Sequence, residues 1–303
     1  MSQATPEGGE PPRIDRDPTD ADPLVLAARL TLLLLVLYSS KFWYLHSPLV
    51  VLCIAGLISR RLLMSPGLWF VAASFMASAN FFNWYSIDNH KYLMNYWCFA
   101  LACTFAAPPD RRREVMAFNA RLLIGLCMLF ATLWKLTSPT YRDGSFFHFT
   151  LMADERFQHV AGWFGGMSRP SLAGNRHQID LLTGGYIRGI DLDAVPLADS
   201  DRLRRLARFL TWCTVAIEAT LACAFLAPGG RIVVAVRNAA LLAFGLTTYL
   251  IAPVIGFGWL LMILGLAQCP PRSKYFLYGY LAVFCLIQLY TMPYGRVIEA
   301  VRG

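Results

Sequence analysis

Four hydrogen-bonding residues in a row, Asp88, Asn89, His90 and Lys91, stand in SIDNHKYLMNYW (residues 86–97), just where the chain enters an apolar run. A neutral imidazole at His90, oriented by Asn89 or Asp88, can hydrogen-bond a ligand oxygen; the same ring can equally anchor a helix at a membrane interface. Lys135, in ATLWKLTSP, lies among Leu133, Trp134 and Leu136. An amine kept from water gives up its proton more readily and can act as a general base. The plainer alternative is snorkelling, with the stem along apolar surface and the ammonium among headgroups. Glu218, in TVAIEATLACAF, has apolar neighbours on both sides and a side chain too short to snorkel. It must be protonated or paired, with Arg121 or Arg237 as the expected partners, in either a structural or a proton-handling role.

Arg121 and Lys135 are 14 residues apart, close to four helical turns, which puts them on one face of a helix and makes that face the inside of a bundle. Arg29 completes the set of ionisable residues within apolar runs. Glu155 and His159 have the i, i+4 spacing of a metal pair, with His148 and His177 near in sequence, but no full ligand set appears and no metal is expected. Seven of the eight cysteines (Cys53, Cys98, Cys103, Cys127, Cys213, Cys223, Cys285) fall in apolar segments without a CxxC pair, and read as small hydrophobes. No phosphate loop, nucleophile elbow or dinucleotide fingerprint is present.

The elements that must position these residues are membrane helices. Of 303 residues 56% are hydrophobic and 15% charged, with a mean hydropathy of +0.47, far from a soluble globular balance. The expected architecture is an all-α polytopic membrane protein of about nine transmembrane helices with one long extracytoplasmic loop. The runs are 24–45, 47–59, 66–86, 91–107, 115–137, 204–227, 231–248, 250–268 and 275–293, the second of them short for a crossing. Residues 1–23 read as a disordered cytoplasmic tail, with six acidic residues and two arginines, and 294–303 as a short C-terminal tail.

The net charge of +8 would suggest nucleic acid in a soluble chain, but here the basic residues cluster between apolar runs, so no nucleic-acid partner is expected. With nine spans and a cytoplasmic N-terminus, Arg60 and Arg61, Arg111 to Arg113, Arg231, and Arg272 with Lys274 all fall on the cytoplasmic face. Residues 138–203 then lie outside, as a lid or an amphipathic segment on the outer surface. The DNHK stretch and the Lys135 end of its helix emerge on that same outer side and can form one site.

The order DNHKYL, then NARLLIGLCMLFATLWKL followed by YRDG, then the acidic residue of IEATLACAF, resembles the membrane domain of vitamin K-dependent gamma-carboxylase and its bacterial relatives, the HTTM (horizontally transferred transmembrane) proteins. The resemblance runs over about residues 24–293. It implies nine spans and an outward-facing site in which Lys135 is the base toward a reduced, vitamin K-like quinone. Asn89 and His90 match the family's asparagine–histidine pair near the quinone, and Glu218 falls at its acidic position.

The departures are as specific. Trp134 stands where the carboxylase has a second lysine, and AFGLTTYLIAP lacks the histidine of the seventh span. The large peptide-binding outer domain is expected to be absent. The implied function is a quinol-dependent membrane enzyme with catalytic Lys135 and His90, and with Asn89, Trp134, Glu218 and Arg121 binding substrate or cofactor. The alternative is a non-catalytic, SdpB-like factor that helps mature or export a secreted peptide. In either case the expected partners are membrane lipids and a lipophilic quinone or peptide substrate.

Overall fold

A computed structural model describes residues 22–37, 42–82, 84–85, 87–183, 197–251, 254, 256–270 and 273–291. The expected tails, apart from Asp22 and Pro23, lie outside these residues, as does Arg272. Among the described residues the chain is helical and forms no strand.

The helices are α1 Pro23–Leu37, α2 Trp43–Ile58, α3 Arg60–Leu63, α4 Pro66–Phe82, α5 Asn89–Ala106, α6 Arg112–Thr137, α7 Pro139–Arg142, α8 Ser145–Ala153, α9 Gln158–Trp163, α10 Arg169–Thr183, α11 Asp201–Leu226, α12 Arg231–Ile251, α13 Phe257–Ala267 and α14 Lys274–Thr291. By length and composition, three of them among the described residues (α6, α11 and α12) are apolar enough to cross a membrane, and α1, α2, α13 and α14 are shorter apolar helices.

Local sequence explains where these helices begin and end. Ser200 caps α11 by accepting the Leu203 N–H at 3.0 Å, and the helix stops ahead of Pro228, Gly229 and Gly230. Pro139 opens α7 at a position where its missing N–H costs nothing. Helix α5 ends ahead of the Pro108–Pro109 pair.

Two expectations are corrected here. The run 24–45 is not one helix: α1 is described over Pro23–Leu37, Phe42 has an extended backbone, and α2 starts at Trp43, earlier than residue 47. The stretch 138–203 is not a plain loop either. It holds α7 to α10 and a 3-10 turn, Glu155–Phe157, and with the first turns of α11 it builds a core from Leu151, Met152, Phe157, Ala161, Leu172 and Leu203. Its apolar residues recur at helical spacing but within short helices, so the segment reads as a loop when judged by length of hydrophobic run.

The main core centres on α13. Every residue from Gly258 to Ala267 is buried, as expected for a helix that is apolar all round. It packs on α14, α1, α6 and α12. Close approach requires glycine at Gly265, where a Cβ would come within 2.3 Å of the Tyr280 ring. Buried polar groups are bonded between helices: Trp97 Nε1 donates to Thr31 Oγ1 at 2.9 Å, joining α5 to α1. Asn238 Oδ1 on α12 accepts from Gln268 Nε2 at 2.5 Å and from the Tyr280 hydroxyl at 2.8 Å.

Candidate functional site

The register between α6 and α11, which pack along each other, sets the site. Gly125 allows the approach: a Cβ there would meet Leu226 Cγ at 2.7 Å, so Gly125 lies level with Leu226. The two helices run in opposite directions, and the first turns of α11 extend past the end of α6 into the second core, which includes Leu203 and Ala207. Ten residues on from Gly125 is Lys135, and eight residues back from Leu226 is Glu218, rises of about 15 and 12 Å. The two therefore meet. Lys135 Nζ donates a short hydrogen bond to Glu218 Oε1, and both side chains are 12% exposed.

This corrects the partner expected for Glu218, which is neither Arg121 nor Arg237. In the sequence Glu218 stands 17 residues into its helix and looks central. The overhang of α11 brings it to the level of the end of α6. Its second oxygen, Oε2, is buried and has no hydrogen-bond partner among the described residues.

Around the pair lies a cavity of about 780 Å³ whose lining is mainly apolar. Asp88, Asn89 and His90, at the start of α5, line one side. Trp134, Lys135, Cys127 and Phe130 of α6 line another, with Glu218 of α11 and Phe257 of α13. His90 is buried, its ring centroid 6.2 Å from that of Phe257, whereas Asn89 is exposed. His90 is the second residue of α5, and its burial sets it on the inner side of that first turn. Trp134 is exposed and meets Tyr141 edge-on at 5.1 Å between centroids.

Of the sequence-predicted site residues, His90, Asn89, Lys135, Trp134 and Glu218 share this cavity. Arg121 does not line it. It lies about 21 Å down α6 from Lys135, with its guanidinium 5.7 Å from the Phe118 ring. Sequence reasoning missed Tyr141, whose ring lies 5.7 Å from Lys135 Nζ and which also lines the cavity. Its place in YRDG, directly after the Lys135 helix, was the available signal. Arg29 is exposed on α1, and His148 is engaged with Asp199 at 2.7 Å, away from the cavity. Among the described residues no three His, Cys, Asp or Glu side chains cluster as metal ligands.

The arrangement can hold a lipophilic molecule in an apolar chamber and present it with an amine, a carboxylate and an imidazole. The volume falls within the range of small-molecule pockets, and few polar groups on greasy walls are the usual recipe for orientation. Compared with known proteins, the chain matches no family model, no curated protein and no solved structure.

Proposed function

We propose that the protein is a nine-span membrane enzyme of the HTTM type, acting on a reduced quinone or similarly lipophilic hydroxyl compound that enters the cavity from the bilayer. The observation that carries this reading is the Lys135–Glu218 pair, sited in a cavity of about 780 Å³ with His90 across from it. The exposed Trp134, Phe130 and Tyr96 flank the same cavity and offer an apolar approach. The sidedness rests on the arginine clusters and puts the cavity on the outer face. The family reading rests on the DNHKYL, WKL and YRDG stretches.

A reduced quinone would supply an acidic hydroxyl and a redox-active ring. Lys135, Glu218 and His90 would hold its polar end, and Trp134 and Phe130 its rings. The chain's own part is proton handling. A lysine tightly paired with a carboxylate is normally protonated and cannot take a proton, but in an apolar chamber the pair can exist in neutral form, its proton on Glu218. The amine of Lys135 is then free to accept a proton from a substrate hydroxyl, and the resulting ammonium stabilises the oxygen left behind. Glu218 thus positions Lys135 and stores its proton, and His90 bonds the substrate oxygen.

The experiment is reconstitution of the protein in liposomes with reduced quinones, oxygen and labelled bicarbonate, assayed for quinone epoxide and for label fixed in peptide. Quinone product supports the enzyme, and label fixed in peptide would extend it to carboxylation. No product with any of several quinones contradicts it and points to the peptide-maturation role.

A further inference from the structure

At the opposite end of α6 and α11 the bundle holds a second cation, this one buried and without an acid among the described residues. Arg237 of α12 is 5% exposed, and its Nε and Nη1 are buried without a hydrogen-bond partner among the described residues. Among the described residues no carboxylate lies within ion-pair distance of Arg237, Arg121 or Arg113. Arg121 lies four residues before Gly125 on the same face of α6, one helical turn further toward this end, and since Gly125 is level with Leu226 this brings Arg121 to the level of the 228–230 segment ahead of α12. A buried guanidinium beside a second one is costly, because nothing offsets the lost hydration.

Arg237 points back toward the start of its helix: Nη1 lies under the Pro228–Gly229–Gly230 turn, where a Cβ on Gly229 would stand 3.4 Å from it. That turn is exposed, and among the described residues nothing beyond its own chain neighbours lies within 4 Å of where a Cβ on Gly230 would be. The Phe225 ring lies 5.9 Å from the guanidinium carbon. We propose that Arg237 and Arg121 form an oxyanion site for a phosphate group, entering beneath the 228–230 turn. A planar guanidinium grips a phosphate through two parallel N–H bonds, and a second arginine takes a further oxygen. The phosphate is either that of an anionic lipid headgroup or a soluble phosphate.

The test is retention of the ligand by the full chain in nanodiscs, read by native mass spectrometry and by the thermal unfolding midpoint. Three conditions are compared: phosphatidylcholine alone, phosphatidylcholine with phosphatidylglycerol, and phosphatidylcholine with inorganic phosphate in the buffer. A rise in midpoint with phosphatidylglycerol only identifies a lipid headgroup; a rise with inorganic phosphate identifies a soluble ligand. Arg121→Gln and Arg237→Gln should each weaken retention roughly tenfold, the loss of a charge-assisted hydrogen bond. Arg237→Lys should retain part of the effect. The double variant Arg111→Gln/Arg231→Gln removes exposed charge near the same helix starts and should leave it intact. Should Arg237→Gln fail to fold, Arg121→Gln and Arg237→Lys decide. Equal midpoints of the wild type in all three conditions would overturn the proposal. So would a loss in the Arg111/Arg231 variant as large as that in Arg121→Gln, because diffuse surface charge would then account for the binding.

Discussion

Lys135, partly buried, and Arg237, buried, are cations at opposite ends of one helical bundle, and they are held in opposite ways. Lys135 meets Glu218 across the α6–α11 contact, with a cavity beside the pair. Arg237 lies by the Phe225 ring and under the 228–230 segment, and finds no carboxylate among the described residues. The first arrangement is electrically complete. The second lacks a counter-charge among the described residues, so the proposal for it is anion binding rather than proton transfer. Net charge at a buried site thus separates a candidate reaction centre from a candidate binding centre within the same fold.

The largest expected effect comes from breaking the pair. Lys135→Ala or Glu218→Ala each strands a buried charge and should cost about 3–5 kcal/mol in unfolding measurements. The double variant Lys135→Met/Glu218→Leu should be far less destabilised, since it removes both charges together. Additive losses in the double variant would mean that the two residues are not energetically coupled. A loss of function in Lys135→Ala therefore does not by itself identify a base.

Next in size is Asn238, which accepts hydrogen bonds from Gln268 and Tyr280 one residue after Arg237. Asn238→Leu leaves buried donors without an acceptor and should cost about 1–3 kcal/mol, read from the thermal midpoint. Arg237→Met, in a purely zwitterionic membrane, should stay within about 1 kcal/mol of the wild type, because it removes an unpaired charge. A loss as large as that of Lys135→Ala would end the contrast between the two cations.

The smallest effect belongs to the α8–α10 region. Burial works to raise the Asp199 carboxyl, but hydrogen bonds from His148, Arg204 and the Ser200 N–H outweigh it and hold the group below the usual carboxylate range. A depressed folded-state value means that its contribution is fully present above about pH 5, and is lost as pH falls through the folded value. Hydrogen exchange in α8 and the first turns of α11 should accelerate on acidification below about pH 4. Asp199→Asn should flatten that change, and an unchanged acid response in this variant would assign it to another group.

Much of the bundle was legible in the sequence. Prolines, glycines and a serine cap mark the ends of α5, α7 and α11, and hydropathy marks the runs themselves. The shared cavity of His90 and Lys135 followed from sidedness together with a short motif. The partner of Glu218 did not, because depth within a helix differs from depth within a bundle when two neighbours are staggered, as α11 and α6 are. Gly125 is the residue that fixes this stagger, and nothing in its local sequence says which helix it faces. Arg121 was assigned to the site through a shared helical face, which specifies direction around an axis but not height along it. The helices of 138–203 escaped notice because each is too short for a hydrophobic-run criterion, and their core depends on turns of α11 that are distant in sequence.

The central claim, that Lys135 with Glu218 is a proton-accepting pair, is tested most directly by Lys135→Arg. Arginine keeps the charge and the ion pair but is not deprotonated in proteins. In liposomes with a reduced quinone and oxygen, the folded variant should form quinone product roughly 100-fold or more slowly than the wild type, the usual contribution of a general base. Product formation at the wild-type rate by Lys135→Arg would contradict the account.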